Sequence, residues 1–236
     1  MSHLRASQLT RRVFLAGLPL TLAACASAGR SAPPAVRAVN VVDPFYASMY
    51  RAIQDEPFPV PAIDVSQVDP RFLRQEVEFT GPESAGDIVV DPSRRFLYLV
   101  RENGRALRYG CGVGQAGFDY EGDAVIARKA EWPRWTPTQN MIRREPERYG
   151  PFAGGMEGGL DNPLGARALY LFKNGRDTLY RIHGTNEPWS IGQSVSSGCI
   201  RLFNQDIIDL HRRVPTGTRV TVLTHGARHR TREALV

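Results

Sequence analysis

At 236 residues, with 42% hydrophobic and 9% aromatic side chains, the chain has enough apolar material for one sizeable core with extensions, which excludes a disordered protein. Its formal charge is +6, half of it from Arg5, Arg11 and Arg12 in an N-terminal segment read below as a removable leader. The remainder is too mild for a nucleic-acid footprint, which needs lysine and arginine clustered on one face, so no nucleic-acid partner is expected.

The leader comes first in chain order. Arg11-Arg12 stand directly before an apolar run, Val13–Ala24. The run falls short of the ~20 residues that cross a bilayer as a helix but fits the apolar region of an export signal. Thr10-Arg11-Arg12-Val13-Phe14-Leu15 resembles a twin-arginine signal, and Leu22-Ala23-Ala24-Cys25 resembles a bacterial lipobox, whose cysteine is lipidated and becomes the new N-terminus. Ordinary cleavage among Ala24-Cys25-Ala26 is the competing reading. Both export the protein to the periplasm; in the first, a lipid on Cys25 is its only membrane contact.

Residues 26–84 follow as a tether rich in Ala, Ser, Pro and Val and then an irregular, proline-rich extension. Within it, Asp43-Pro44 predicts a short helix, with Asp as the cap and Pro at the first helical position. The main domain is expected to start near Asp87. "DIVVD" and "RFLYLVR" read as strands, and Asn103-Gly104 as a two-residue hairpin turn into "ALRYGCGVG". Phe96, Tyr98 and Val100 point one way and Leu97 and Leu99 the other, so this strand is expected to be covered on both faces. The same device recurs in "ALYLFK", Asn174-Gly175 and "TLYRIH", which puts His183 at the end of a hairpin strand. The glycine- and proline-rich stretch 112–165, with Trp132 and Trp135, is a long loop of the functional kind. "FNQDIIDLHRR" predicts a helix with Asn204 as N-cap and Asp206 in its first turn. "TRVTVLT" closes the domain as a last strand, and residues 225–236 are a basic tail. The fold class is mainly β, with one or two short helices.

The chemistry concentrates in "HGTNEPWSIGQSVSSGCIRL", His183–Leu202. Unmodified cysteine is ordinarily a small buried hydrophobe. Cys199 instead follows Ser196-Ser197-Gly198 in a polar loop, with a helix starting shortly after it. Backbone N–H groups near a helix start favour a thiolate. Gly198 permits a sharp turn and close approach to a substrate, and the loop can aim N–H groups at an oxyanion. His183 on a strand end is the candidate general base, so the pair fits nucleophilic acyl transfer. A gap-filling cysteine beside a hydrogen-bonded histidine is the bland reading. A metal site from His183, Cys199, His211 and His225 is disfavoured, since no tight Cys-x-x-Cys pair is present, and no metal or cofactor is expected. Cys111, at a strand end in "RYGCGVG", reads as buried.

His183-Gly184-Thr185 followed by Ser196-Ser197-Gly198-Cys199-Ile200-Arg201 resembles the signature of the L,D-transpeptidase catalytic domain, or YkuD domain, supported by "IARKAEWPRWTP", "NPLGARALYLF" and "NQDIIDL" over roughly residues 85–224. The resemblance implies a β-sandwich or barrel-like fold and a reaction on peptidoglycan. Cys199 would take the acyl group of a tetrapeptide stem, release D-Ala and pass the acyl group to an amine of a second stem or of an outer-membrane protein. His183 is implied as base and acid, the Gly184 carbonyl as its support, and Gly198 with Cys199 as oxyanion donors. Thr185, Asn186 and Trp189 are candidates to line the cleft. Arg201 is a candidate either to bind a substrate carboxylate or to pair with Asp206 or Glu187. Ser197 departs from the family's commoner histidine before Gly-Cys. A hydrolase of stem peptides and a non-catalytic wall-binding protein on the same fold are the alternatives. A papain-like protease is disfavoured because there the cysteine precedes the histidine.

Overall fold

The computed structural model describes residues 43–114, 120–196 and 198–224. The leader with its Cys25 lipidation site, the tether to residue 42, Ser197 and the tail from residue 225 lie outside the described residues.

The strands in chain order are β1 (Gln75–Glu78), β2 (Ile88–Asp91), β3 (Phe96–Arg101), β4 (Arg105–Gly110), β5 (Val113–Gly114), β6 (Gly122–Glu131), β7 (Arg167–Lys173), β8 (Arg176–His183), β9 (Ser194–Ser196), β10 (Ile200–Arg201) and β11 (Arg219–Val222). Asn103 and Gly104 both have positive φ, 59° and 66°, and Asn174 and Gly175 repeat this at 52° and 75°. Such turns match the right-handed twist of the strands they join, so local sequence fixes the β3–β4 and β7–β8 hairpins.

Nine strands form one sheet in the order β1-β4-β3-β2-β11-β6-β7-β8-β10; β5 and β9 form a separate pair. The sheet is mixed: β2 with β11 and β8 with β10 run parallel, the other neighbours antiparallel. A bridge between Gly112 and Arg201 joins β10, at one end of the order, to the chain leaving β4 near the other. The mainly β fold therefore curls back on itself, as a barrel-like layer rather than two equal stacked sheets.

Alternation along β3 divides the core. Leu97 and Leu99 enter a cluster with Ile88, Ile126, Leu169 and Ile182 on one face. Phe96, Tyr98 and Val100 enter a second cluster on the other. The first cluster is sealed by α4 (Asn204–Arg213), through Ile207 and Leu210. The second is sealed by the extension, through Tyr50, Val65, Phe72, Leu73 and Phe79. Each such large apolar side chain contributes roughly 1.5–3 kcal/mol by leaving water.

The extension is more regular than its composition suggests. It carries α1 (Pro44–Met49), whose Asp43 cap accepts from the Phe45 amide at 2.9 Å, and β1, which pairs with β4 through its whole length. The stretch 112–165, expected as one long loop, contributes strands β5 and β6 and, beyond β6, two short helices, α2 (Gln139–Arg144) and α3 (Pro146–Tyr149), so the domain is mainly β with a few short helices. α4 also departs from expectation at its start. Phe203 is the cap residue and makes no side-chain cap bond, whereas Asn204, the first helical residue, turns its amide onto neighbouring backbone.

Candidate active site

β8 ends at His183, held between two neighbours: Ala168 of β7 on one side and Arg201 of β10 on the other. The imidazole is only 4% exposed, and its Nδ1 lies 2.6 Å from the Gly184 carbonyl. A carbonyl only accepts, so Nδ1 carries the proton and Nε2 is left as an acceptor. Burial, joined by the Arg201 charge, lowers the His183 pKa to about 3, against a smaller opposing effect of the Gly184 bond. At neutral pH the ring is uncharged.

The residue after Gly184 is itself held in place. Asn204 Nδ2 donates to the Thr185 carbonyl at 3.0 Å, and Asn204 Oδ1 accepts from the Ala166 amide at 3.0 Å. Gly184 lies against that side chain, and a Cβ there would collide with Asn204 Oδ1. The Asn204 amide thus ties the start of α4 to the strand end that bears the histidine.

Cys199 lies in the turn between β9 and β10, after Gly198, whose φ of 131° is a conformation that disfavours a side chain. The thiol is half-buried and approaches the Leu179 carbonyl at 3.8 Å. Leu179 is unusual: a non-glycine residue at φ 65°, 65% exposed, in an irregular stretch of β8 where the register with β7 shifts. Hydrogen bonds hold it there, from the Leu179 amide to Asp177 (2.8 Å) and from the Tyr180 amide to Thr178 Oγ1 (3.1 Å). Nothing in the sequence marks a leucine for this conformation.

The expected helix-start effect on the thiol is not what the structure shows. α4 begins at Asn204, beyond β10, and burial pushes the Cys199 thiol up. The Arg181 backbone N–H and the Arg181 and Arg201 charges pull the other way without reversing the shift. The resting pair is therefore a neutral thiol and a neutral imidazole.

Both residues line one cavity of about 560 Å³. Gly198, Asn186 and Arg201 line it too, as do Trp135, Tyr149 and Phe152 and residues of α2 and α3 from the long loop. The loop is closed at its base by buried Asn162, whose amide donates to the carbonyls of Pro133, Met156 and Glu157. Asn186 is oriented by donating to the Asp161 carbonyl at 2.9 Å. Arg201 pairs with Glu187 at 2.7 Å, not with Asp206, which is fully buried and accepts from Tyr50 Oη at 2.9 Å.

Two residues expected along the cleft lie elsewhere. Thr185 is buried beneath it, its hydroxyl accepting from the Glu187 amide at 2.9 Å, and Trp189 is 64% exposed outside the cavity wall. Cys111 is a fully buried thiol, raised by desolvation, and no disulfide links it to Cys199. Glu187, Leu179, Arg144 of α2 and Arg148 of α3 line the cavity as well. Of these, sequence reasoning names only Glu187, and only as a partner for Arg201.

A thiol and a neutral histidine opening into one cleft of a mixed β-sheet define a cysteine-dependent acyl-transfer domain. Residues 85–222 match the L,D-transpeptidase catalytic domain (YkuD), and the chain belongs to that family. The probable L,D-transpeptidase ErfK/SrfK of Escherichia coli is 40% identical over 147 residues, 61% of this chain and 46% of its own length. The probable L,D-transpeptidase YbiS of Escherichia coli is 38% identical over 137 residues, 57% of this chain and 43% of its own. The matched part is thus under half the length of either relative. A solved structure from Brucella melitensis, described as a probable carnitine operon oxidoreductase CaiA, shares 52% identity over 68% of this chain and 99% of its own, at a TM-score of 0.47.

Proposed function

We propose that the protein is a peptidoglycan L,D-transpeptidase acting through Cys199 and His183. The observation that carries this is the single cavity they share, with Nδ1 of His183 occupied by Gly184 and Nε2 left to take a proton. Sulfur attacks the carbonyl carbon of the third residue of a tetrapeptide stem while Nε2 accepts the thiol proton. The tetrahedral oxyanion is met by backbone N–H groups at Gly198 and Cys199. As it collapses, the C–N bond to D-Ala breaks, His183 returns its proton to the leaving amine, and a thioester remains. An acceptor amine then attacks the thioester, losing its proton to Nε2, and the thiol is regenerated. Because the imidazole is uncharged at rest, proton transfer accompanies attack instead of preceding it.

The acceptor is a second stem peptide, an outer-membrane protein or, in a hydrolytic variant, water. The leader reading places this chemistry in the periplasm, with a lipid on Cys25 as the anchor and a twin-arginine signal as the route. Among the described residues, no helix is long and apolar enough to cross a membrane.

The test is mass spectrometry of the purified chain incubated with tetrapeptide-bearing muropeptides. A thioester adduct on Cys199, with release of D-Ala, is expected. Its absence in the wild type, or its persistence in Cys199→Ala, refutes the assignment.

A further inference from the structure

The cavity that holds Cys199 and His183 also receives three arginines, Arg144 from α2, Arg148 from α3 and Arg201 from β10, against two acids, Asp161 and Glu187. Two of the arginines are already matched. Arg201 lies 2.7 Å from Glu187, and Arg148 lies 3.3 Å from Glu145 and 3.9 Å from Glu187. Arg144 differs. It is exposed, lines the cavity, and among the described residues has neither a hydrogen bond nor an ion pair. In the same cavity wall, the buried Nε of Arg201 also lacks a partner.

A guanidinium keeps its charge at any working pH and presents paired N–H groups that fit a carboxylate in two-point contact. An arginine with no acid to compensate it, facing a partly enclosed cleft, gives that cleft a positive potential that draws anionic ligands. His183, being uncharged, adds nothing to that potential, Glu187 is shared by Arg201 and Arg148, and Asp161, exposed and without an ion pair among the described residues, offsets only one of the three arginine charges. The cation left over is Arg144 on α2, which lines the same cavity as Cys199.

We propose that Arg144 is a specificity residue that binds a carboxylate of the peptide acyl donor, so that the cleft selects carboxylate-bearing peptides over their carboxamide counterparts. This rests on reading the cleft as a peptide acyl-transfer site. Arg148 and Arg201 raise the local potential while their guanidinium charges are already paired, with Glu145 and with Glu187.

The test uses the full chain carrying Cys199→Ser, which binds without reacting, and calorimetric titration with a synthetic stem tetrapeptide whose carboxylates are converted to carboxamides one at a time. One of these conversions is expected to weaken binding about tenfold or more, the reach of a hydrogen bond to a charged group. In Cys199→Ser/Arg144→Gln the parent peptide should bind as weakly as that carboxamide. Arg144→Lys should recover part of the discrimination, a result that a merely structural arginine does not give. Discrimination that survives Arg144→Gln, or its complete absence with Arg144 present, overturns the subsite. Absence of binding by any of the peptides overturns the subsite and the acyl-donor reading together, whereas thioester formation in the wild type with unchanged discrimination in Arg144→Gln overturns the subsite alone.

Discussion

Alkylation of Cys199 by iodoacetamide should report the state of the resting pair. Only thiolate reacts, and burial holds this thiol above its ordinary value despite Arg181 and Arg201. An ordinary thiol near pKa 8.5 is roughly 3% ionised at pH 7, so Cys199 should be ionised less than that. Its alkylation rate, followed by intact-mass spectrometry, should climb about tenfold per pH unit from pH 5 to pH 8 with no plateau. His183 has a pKa of about 3 and stays uncharged across this range, so His183→Ala should leave the slope intact. Acylation by a stem peptide should nevertheless fall by about two to four orders of magnitude in His183→Ala, the usual reach of a positioned acid-base group. Cys111 is buried, and a Cys111→Ser background checks that it contributes nothing to the measured rate. A pH-independent alkylation rate between pH 5 and pH 7 in the wild type, lost in His183→Ala, would mean a preformed thiolate–imidazolium pair and refute the reasoning.

Three further outcomes follow from the packing. Asn204→Ala strands the Ala166 amide and the Thr185 carbonyl, which should cost about 1–3 kcal/mol of stability in urea titrations; it should also slow acylation more than it weakens peptide binding, because it loosens the strand end at Gly184. Phe72→Ala removes the ring that fills the second core cluster between the extension and β3, and should cost about 3–5 kcal/mol, read from denaturant midpoints. Asp206 has its pKa raised to about 7 from 3.8, by burial first and then by Asp209, against the opposing effects of Arg74 and Tyr50. The folded state therefore keeps a proton that the unfolded chain releases, and stability contributed by that proton fades as pH rises from about 4 to 7. Asp206→Asn should gain on the wild type across that window, by up to about 4 kcal/mol at ~1.4 kcal/mol per pKa unit, and parallel stability–pH curves for the two proteins would contradict this.

What the sequence discloses is what local chemistry decides. Asn103-Gly104 and Asn174-Gly175 need two positive φ values in a row, which few other pairs adopt, so both hairpins are legible from residue types alone. The alternation Phe96, Leu97, Tyr98, Leu99, Val100 likewise declares a strand covered on both faces. β1 is not legible, because "QEVE" is polar and becomes a strand only by pairing with β4, some thirty residues on in sequence. The turn at Leu179 depends on a register shift between β7 and β8 that no residue type announces. Asn204 is ambiguous in sequence: its amide suits a helix cap equally well as the cross-link between Ala166 and Thr185 that it forms. The proton affinity of Cys199 is illegible for a different reason, since it is set by burial, and burial belongs to the assembled cleft.

These differences change what α4 does for the site. A helix start beside a cysteine suggests an electrostatic role, but the dipole's influence falls off within the first turn, and β10 separates that turn from Cys199. The helix acts mechanically. Its first residue, Asn204, cross-links the Thr185 carbonyl and the Ala166 amide, next to the Gly184 carbonyl that meets His183 Nδ1. Its next residues reach the extension, Gln205 Nε2 donating to the Pro61 carbonyl at 2.8 Å and Asp206 accepting from Tyr50. Its buried side, through Ile207 and Leu210, packs into the cluster that also contains Ile182 and Ile200, the residues just before His183 and just after Cys199. The extension, the helix and the segments that carry His183 and Cys199 are therefore one packed unit. The residues matched to the family begin at 85, yet the face of β3 carrying Phe96, Tyr98 and Val100 is covered by residues 50–79. A chain shortened to residue 85 exposes that face and loses the hydrogen bonds that Gln205 and Asp206 make to the extension, so α4, which carries the Asn204 cross-link, loses that anchorage.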